Sequence, residues 1–110
     1  MYGRCAYSRA VPKLDIRWDA AKERSNRRKH GVSFAEAATA FADESGLVLP
    51  DPDHSRDEPR FVLLGLGVAL RALIVVHSYD ERAGTIRIIS ARKANRLERA
   101  LYARKETVRS

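Results

Sequence analysis

Residues 18–34 read WDAAKERSNRRKHGVSF, and the way this stretch must break decides the fold. Asp19 offers a carboxylate to the backbone N–H groups left free at the start of a helix. Gly31 stands where a left-handed C-terminal cap is needed, so a helix is expected from about Ala20 to His30. Gly31-Val32 is the whole linker before Ser33, which has capping-box spacing with Glu36 and opens a second helix. Phe34, Ala37, Ala38 and Phe41 recur at helical spacing, giving that helix one buried face and an end near Asp43 or Gly46. So short a connection forces a sharp corner, and His30 lies on it, outside the core. The first helix is strongly basic: Lys22, Arg24, Arg27, Arg28 and Lys29 face only Glu23, and its apolar side chains are alanines. Basic residues in a last turn suit the helix dipole, but five exceed what capping requires.

Upstream, Asp15 to Trp18 alternates polar and apolar and reads as a short edge strand, with Trp18 as an inward aromatic anchor. Residues 1–14 carry neither period and are expected to be a loosely ordered extension before a single domain of residues 15–110. Downstream, Leu47-Val48-Leu49 is a short strand, stopped by a polar acidic loop from Pro50 to Pro59. Arg60–Leu66, Arg71–Tyr79 and Thr85–Ser90 are strands joined by a turn near Gly67 and a hairpin loop at Asp80–Gly84, which together describe a meander. The run Ala72–Val76 is apolar on both faces, as a central strand should be. Asn95 and Glu98 repeat the capping-box spacing, and Leu97, Ala100 and Leu101 form an apolar stripe on a last helix from about Arg96 to Lys105. The fold class is therefore α+β: a small antiparallel sheet, a meander of three to four strands plus a short N-terminal strand, with two N-terminal helices and one C-terminal helix.

The 110 residues suffice for one core but not two. Lys and Arg number 21 against 14 Asp and Glu, for a net charge of +7; this favours polyanionic partners. The single Cys5 excludes an internal disulfide framework and suits a reducing cytoplasm. No apolar run is long enough to span a membrane, so a cytoplasmic protein without membrane contact is expected.

Charge is unevenly spread: Lys22–Lys29 and Arg87–Arg109 are basic, whereas Glu36–Glu58 is mostly acidic. The two basic segments either form one groove or are two separate solvated faces. Strand alternation turns Arg87 away from Ile86 and Ile88, onto the open face of the sheet. His77 and Tyr79 share a face, and His77 at a strand end is either structural or catalytic. Metal chemistry has little support, because His30, His54 and His77 are far apart and no HxxxH or CxxC pair occurs. Asp51, Asp53 and Asp57 lack the spacing and glycine of a calcium loop. There is no P-loop, GxGxxG or GxSxG motif. What remains is Arg, Lys, His and Tyr, the residue types that metal-free RNA cleavage needs. The 2′-OH must lose a proton, the phosphorane must be stabilised by cations, and the leaving 5′ oxygen must gain a proton.

Four pieces carry a resemblance: WDxxKxxxNxxKHGVSFxEA at Trp18–Ala37 (here with Arg28 before Lys29), DEPRFVLLG at Asp57–Gly65, the strand end VVHSY, and RIISARKA at Arg87–Ala94 followed by Glu98 and Tyr102. In this order and spacing the chain resembles the BrnT-type ribonuclease toxins of bacterial type II toxin–antitoxin systems, a family similar in fold to RelE-like toxins. The resemblance implies a metal-independent endoribonuclease that needs no cofactor and inhibits translation. It also implies neutralisation by a cognate, DNA-binding, BrnA-like antitoxin, with DNA met only through a toxin–antitoxin complex that represses its own promoter. On matching positions it implies catalytic Lys29, His30, Arg60 and Arg92, joined by His77, and RNA contacts from Arg87 and Lys93. Lys22 and Arg28 of the basic helix and Tyr102 complete the expected RNA-binding set. A non-catalytic basic nucleic-acid-binding module remains the alternative, and a basic face that docks an acidic antitoxin is compatible with either.

Overall fold

The computed structural model of the protein describes residues 15–51 and 59–109. The expected extension at residues 1–14 and the acidic residues of the 52–58 loop, with His54, lie outside them. In chain order the elements are β1 (Asp15–Arg17), α1 (Ala20–His30), α2 (Phe34–Thr39) with a tight final turn Ala40–Ala42, β2 (Leu47–Pro50), β3 (Arg60–Leu66), β4 (Ala72–Asp80), β5 (Thr85–Lys93) and α3 (Arg96–Arg109).

The strands form one sheet in the order β1-β5-β4-β3-β2. The run from β2 to β5 is the expected antiparallel meander. At the edge, however, β1 pairs with β5 in parallel, Asp15 beside Thr85 and Arg17 beside Arg87, so the sheet is mixed. Between β1 and β2 the chain climbs through α1 and α2 on one face of the sheet. That face holds the main core: Val32, Phe34, Ala37, Ala40 and Phe41 pack on Leu63, Leu73, Val75, Ile86 and Ile88. Gly65 allows this close approach, since a Cβ there would stand 3.1 Å from the Ala40 carbonyl oxygen. Trp18 is only half inward: it meets Phe34 edge-on at 6.2 Å and is 37% exposed.

A bulge at Val76/His77 sets what the other face displays. Val76 pairs with Ser90 and His77 with Ile88, so Ile89 is an extra residue that shifts the alternation of β5. As a result Ile86, Ile88 and Ala91 all face the helices. Arg87 and Arg92, an odd number of residues apart, then share the opposite, open face, opposite Ser78 and Ile74.

The last helix covers one end of that open face, where Tyr102 packs beside Leu64, Ile74 and Ala94. Its expected apolar stripe is not what it buries: Leu97 is 80% exposed and Leu101 43%. Two polar contacts fix the rotation instead. Glu98 is held by Arg92, and the Tyr102 hydroxyl donates to Asp43 at 2.6 Å. The expected capping box does form, with Glu98 N donating to Asn95 Oδ1 and Asn95 N to Glu98 Oε1, both at 2.8 Å.

Candidate functional site

The corner after α1 is built as its caps require. Lys22 N donates to Asp19 at 2.9 Å, Gly31 adopts φ 71° with its N–H on the Arg27 carbonyl at 2.8 Å, and Glu36 N donates to Ser33 Oγ at 3.0 Å. Two tethers then fasten the corner. The first is Asn26, a buried amide on an otherwise exposed helix. Its Nδ2 donates to the carbonyls of Val32 (3.1 Å) and Ala91 (2.8 Å), and its Oδ1 accepts from Ala91 N at 3.1 Å. The second is Arg71, which forks onto Glu36 with two 2.7 Å hydrogen bonds and reaches the Gly31 carbonyl at 3.1 Å. The pair holds the Glu36 carboxyl below the usual carboxylate range and raises the guanidinium, because each stabilises the other's charged form. Lys29 and His30 are exposed at this corner. Through Ala91 they are anchored next to the end of β5, which carries Arg92 and the exposed Lys93.

Arg92 lies on the open face and is locked to Glu98 by two hydrogen bonds of 2.8 and 2.9 Å. Their mutual hydrogen bonding raises the arginine and lowers the carboxyl, so Arg92 stays cationic and Glu98 anionic. Farther down the same face a row crosses four strands: Arg60 pairs with Ser78, Ser78 with Arg87, and Arg87 with Arg17. Neighbours in such a row stand about 5 Å apart. Arg17 is held by Asp15 at 2.8 Å, whereas the buried Nε of Arg60 has no hydrogen-bond partner. Arg17, Ser78, Thr85 and Arg87, with Asp80, Glu81 and Arg82, line a groove of about 630 Å³. From Ser78 to Ile74 is four residues of strand, which places the row about 13 Å from Arg92.

The basic residues therefore occupy two regions, not one groove. Lys29 and His30 stand at the corner that Asn26 ties to Ala91, Lys93 is exposed at the end of β5 with Arg92 on the far side of the strand, and Arg60 and Arg87 stand in the row. Lys22 and Arg28 are exposed along α1. Tyr102 is half buried against Asp43, whose second hydrogen bond comes from Leu66 N at 2.8 Å. His77 is wholly buried, its Nδ1 3.1 Å from the Val75 carbonyl and its ring edge-on to Phe41 at 4.8 Å. Burial lowers its pKa to about 4, outweighing the carbonyl, so it sits in the core as a neutral imidazole and does not face either region. Asn26, Arg71 and Ser78 are the residues that sequence reasoning passed over. Asn26 had two signals, a lone neutral amide within a basic run and its fixed place in the motif quoted above, and neither named its partners; Ser78 acquires meaning only through the cross-strand register.

Among the described residues no three of His, Cys, Asp and Glu stand together as a metal-binding group, and no helix is long and apolar enough to cross a membrane. The family model described as ribonuclease toxin, BrnT, of type II toxin–antitoxin systems matches residues 18–98. Among solved structures, the crystal structure of the Brucella abortus ribonuclease toxin BrnT shares the fold. It is 22% identical, with a TM-score of 0.55 over 76% of this chain and 100% of that one. No curated protein matches the chain.

Proposed function

The chain belongs to the BrnT family of ribonuclease toxins of type II toxin–antitoxin systems, and from that premise we propose that it is a metal-independent endoribonuclease that cuts RNA through the 2′-OH. The observation that carries the assignment of a cleavage site is the Asn26 tether, which anchors the Lys29-His30 corner beside the strand end bearing Arg92 and Lys93. Histidine is the side chain that exchanges protons near neutral pH, and His30 is the described histidine that reaches solvent. In this reading His30 moves the proton between the 2′-OH and the leaving 5′ oxygen. Lys29 and Lys93 hold the phosphate and offset the extra negative charge of the phosphorane, and Arg92, kept charged by Glu98 on the far side of β5, draws the RNA round the strand end. Arg60 and Arg87 grip the strand beyond the cut and take no part in bond breaking; His77 supports the core behind them.

The biological reading follows from the family. Cutting RNA in the cytoplasm inhibits translation, and a cognate DNA-binding, BrnA-like antitoxin with acidic segments neutralises the toxin by complementing its basic surface. DNA is met through that complex alone. A second reading, a non-catalytic module that only grips phosphates, is favoured by the open-face row, which offers cations but no described histidine.

The test is RNA cleavage in excess EDTA by wild type, His30→Ala and Arg92→Ala, with and without ribosomes. Cleavage is expected to persist in EDTA, to leave a 2′,3′-cyclic phosphate, and to lose about 100-fold or more in kcat without His30. RNA left intact by the wild type under both conditions would sink the enzymatic reading. Cleavage abolished by EDTA would sink the metal-free one, and an unchanged kcat in His30→Ala would move the cut away from the corner.

A further inference from the structure

We infer that Arg60 and Ser78 form a seat for a single phosphate group on the open face of the sheet, closed on its other side by Arg87. The inference rests on the reading that RNA is the ligand, and it names the contact that holds the strand away from the cut. Three features meet there. Arg60 Nε is a buried donor without a partner, a condition that costs free energy and is relieved when the guanidinium turns outward to meet an anionic oxygen beside the groove. Its cross-strand neighbour Ser78 is 6% exposed and lines the groove. A hydroxyl at that position puts a donor at the groove floor, and so short a side chain leaves the space above it between two guanidinium stems. The next residue in the row is Arg87 and the one after is Arg17, so any oxygen resting on Ser78 has cations on both sides.

Two of the described carboxylates nearby are already engaged, and Glu81 also lines the groove. Asp15 is taken by Arg17, and Asp80 caps the hairpin by accepting from Arg82 N and Ala83 N at 3.1 and 3.3 Å. Neither hydrogen-bonds to Arg60 or Ser78. A phosphate matches the row better than a carboxylate does, because it can accept from Arg60, Ser78 and Arg87 at once through different oxygens.

Charge and hydroxyl leave different marks on binding, which gives the test its discrimination. The probe is an all-2′-O-methyl RNA oligonucleotide of mixed sequence, which has no free 2′-OH and binds without being cut, titrated onto the full chain at several salt concentrations. Arg60→Ala is expected to weaken binding about tenfold or more and to flatten the slope of log K against log salt by about 0.7, one phosphate contact on a single strand. Ser78→Ala is expected to weaken binding about threefold to tenfold with the slope unchanged, since a neutral donor releases no counterion. Ser78→Thr keeps the hydroxyl and should restore affinity; Ser78→Val fills the seat and should not. Far-UV circular dichroism and melting of each variant separate lost contacts from lost fold. If Ser78→Ala binds as the wild type does while Arg60→Ala is weakened, the seat is refuted and RNA recognition by the row stands. If Arg60→Ala also binds normally, the row is not the grip. A wild-type chain that binds no oligonucleotide yet cuts RNA overturns the seat alone, and one that does neither overturns the ribonuclease reading with it.

Discussion

Replacing Asn26 with alanine removes the amide that joins α1 to β5, and the structure fixes what is lost. Three hydrogen bonds disappear, to the carbonyls of Val32 and Ala91 and from Ala91 N. The residue is 7% exposed, so water does not simply take over these groups. Each bond nets about 1 kcal/mol, for a total of at least about 3 kcal/mol. A domain of this size loses about 4–8 °C in melting temperature per kcal/mol, so the midpoint should fall by about 15 °C. Asn26→Asp should be no better. Its carboxylate can still accept from Ala91 N but turns a negative oxygen toward two carbonyls that need a donor. Thermal unfolding followed by circular dichroism at pH 7 measures both variants. At a temperature where the alanine variant is still folded, kcat on RNA should fall about tenfold or more as the corner loosens, while affinity for the 2′-O-methyl oligonucleotide holds. A drop of less than about 3 °C, or an aspartate variant as stable as the wild type, would refute the view that this amide carries the corner.

Other expectations concern titration and backbone. The folded pKa of His77 is about 4 against an ordinary 6.5, so the unfolded chain binds the proton more readily. Stability that is fully present above 6.5 should therefore be lost as the pH falls toward 4, by about 3 kcal/mol in all. Urea midpoints of wild type and His77→Gln across this window would show it as a weaker pH slope in the variant, and an imidazole NMR resonance titrating near 6.5 would contradict it. Glu36 is depressed below 4.5 by Arg71, so its contribution is present above 4.5 and disappears as the pH falls through the lower folded value. Glu36→Gln should destabilise at pH 7 and match the wild type near pH 2, and a penalty that persists in acid would refute the charge pairing with Arg71 as its source. Leu70 is 79% exposed and holds φ 63° in the β3–β4 turn. Leu70→Gly should raise stability by about 1 kcal/mol by relieving the left-handed strain, and a fall in melting temperature would show that the leucine side chain is needed there.

Local signals were legible and long-range ones were not. Asp19, Gly31, Ser33 and Asn95 act within four residues of themselves, so the caps and the helix starts could be read directly. Alternation placed Arg87 correctly because Ile86 and Ile88 flank it on the near side of the bulge. Beyond Val76/His77 the same alternation fails, since one extra residue moves every later side chain of β5 to the other face. The parallel partner of β1 could not be read either, because three residues carry too little pattern to name a strand so distant in sequence. On α3 the apolar spacing of Leu97 and Leu101 pointed one way and the polar locks at Glu98 and Tyr102 won. At the site, exposure of Lys29 and His30 followed from the corner, but their separation from Arg60 and Arg87 is a property of the register. His77 sits on the helix-facing side of a central strand, where nothing in its immediate neighbours distinguished core from surface.

The cationic row takes one side chain from each of four strands, and its last member, Arg87, lies near the end of the domain. A growing chain meets these positions in the order Arg17, Arg60, Ser78, Arg87, and β1 has no strand to lie against until β5 exists. Contacts so distant in sequence form late in folding, because a long loop must close before they are rewarded. A chain still being made, or one truncated before β5, thus lacks the assembled row. On the proposed reading, the grip on RNA waits for completion of the sheet, and the interval before β5 docks is one in which a partner can arrive first.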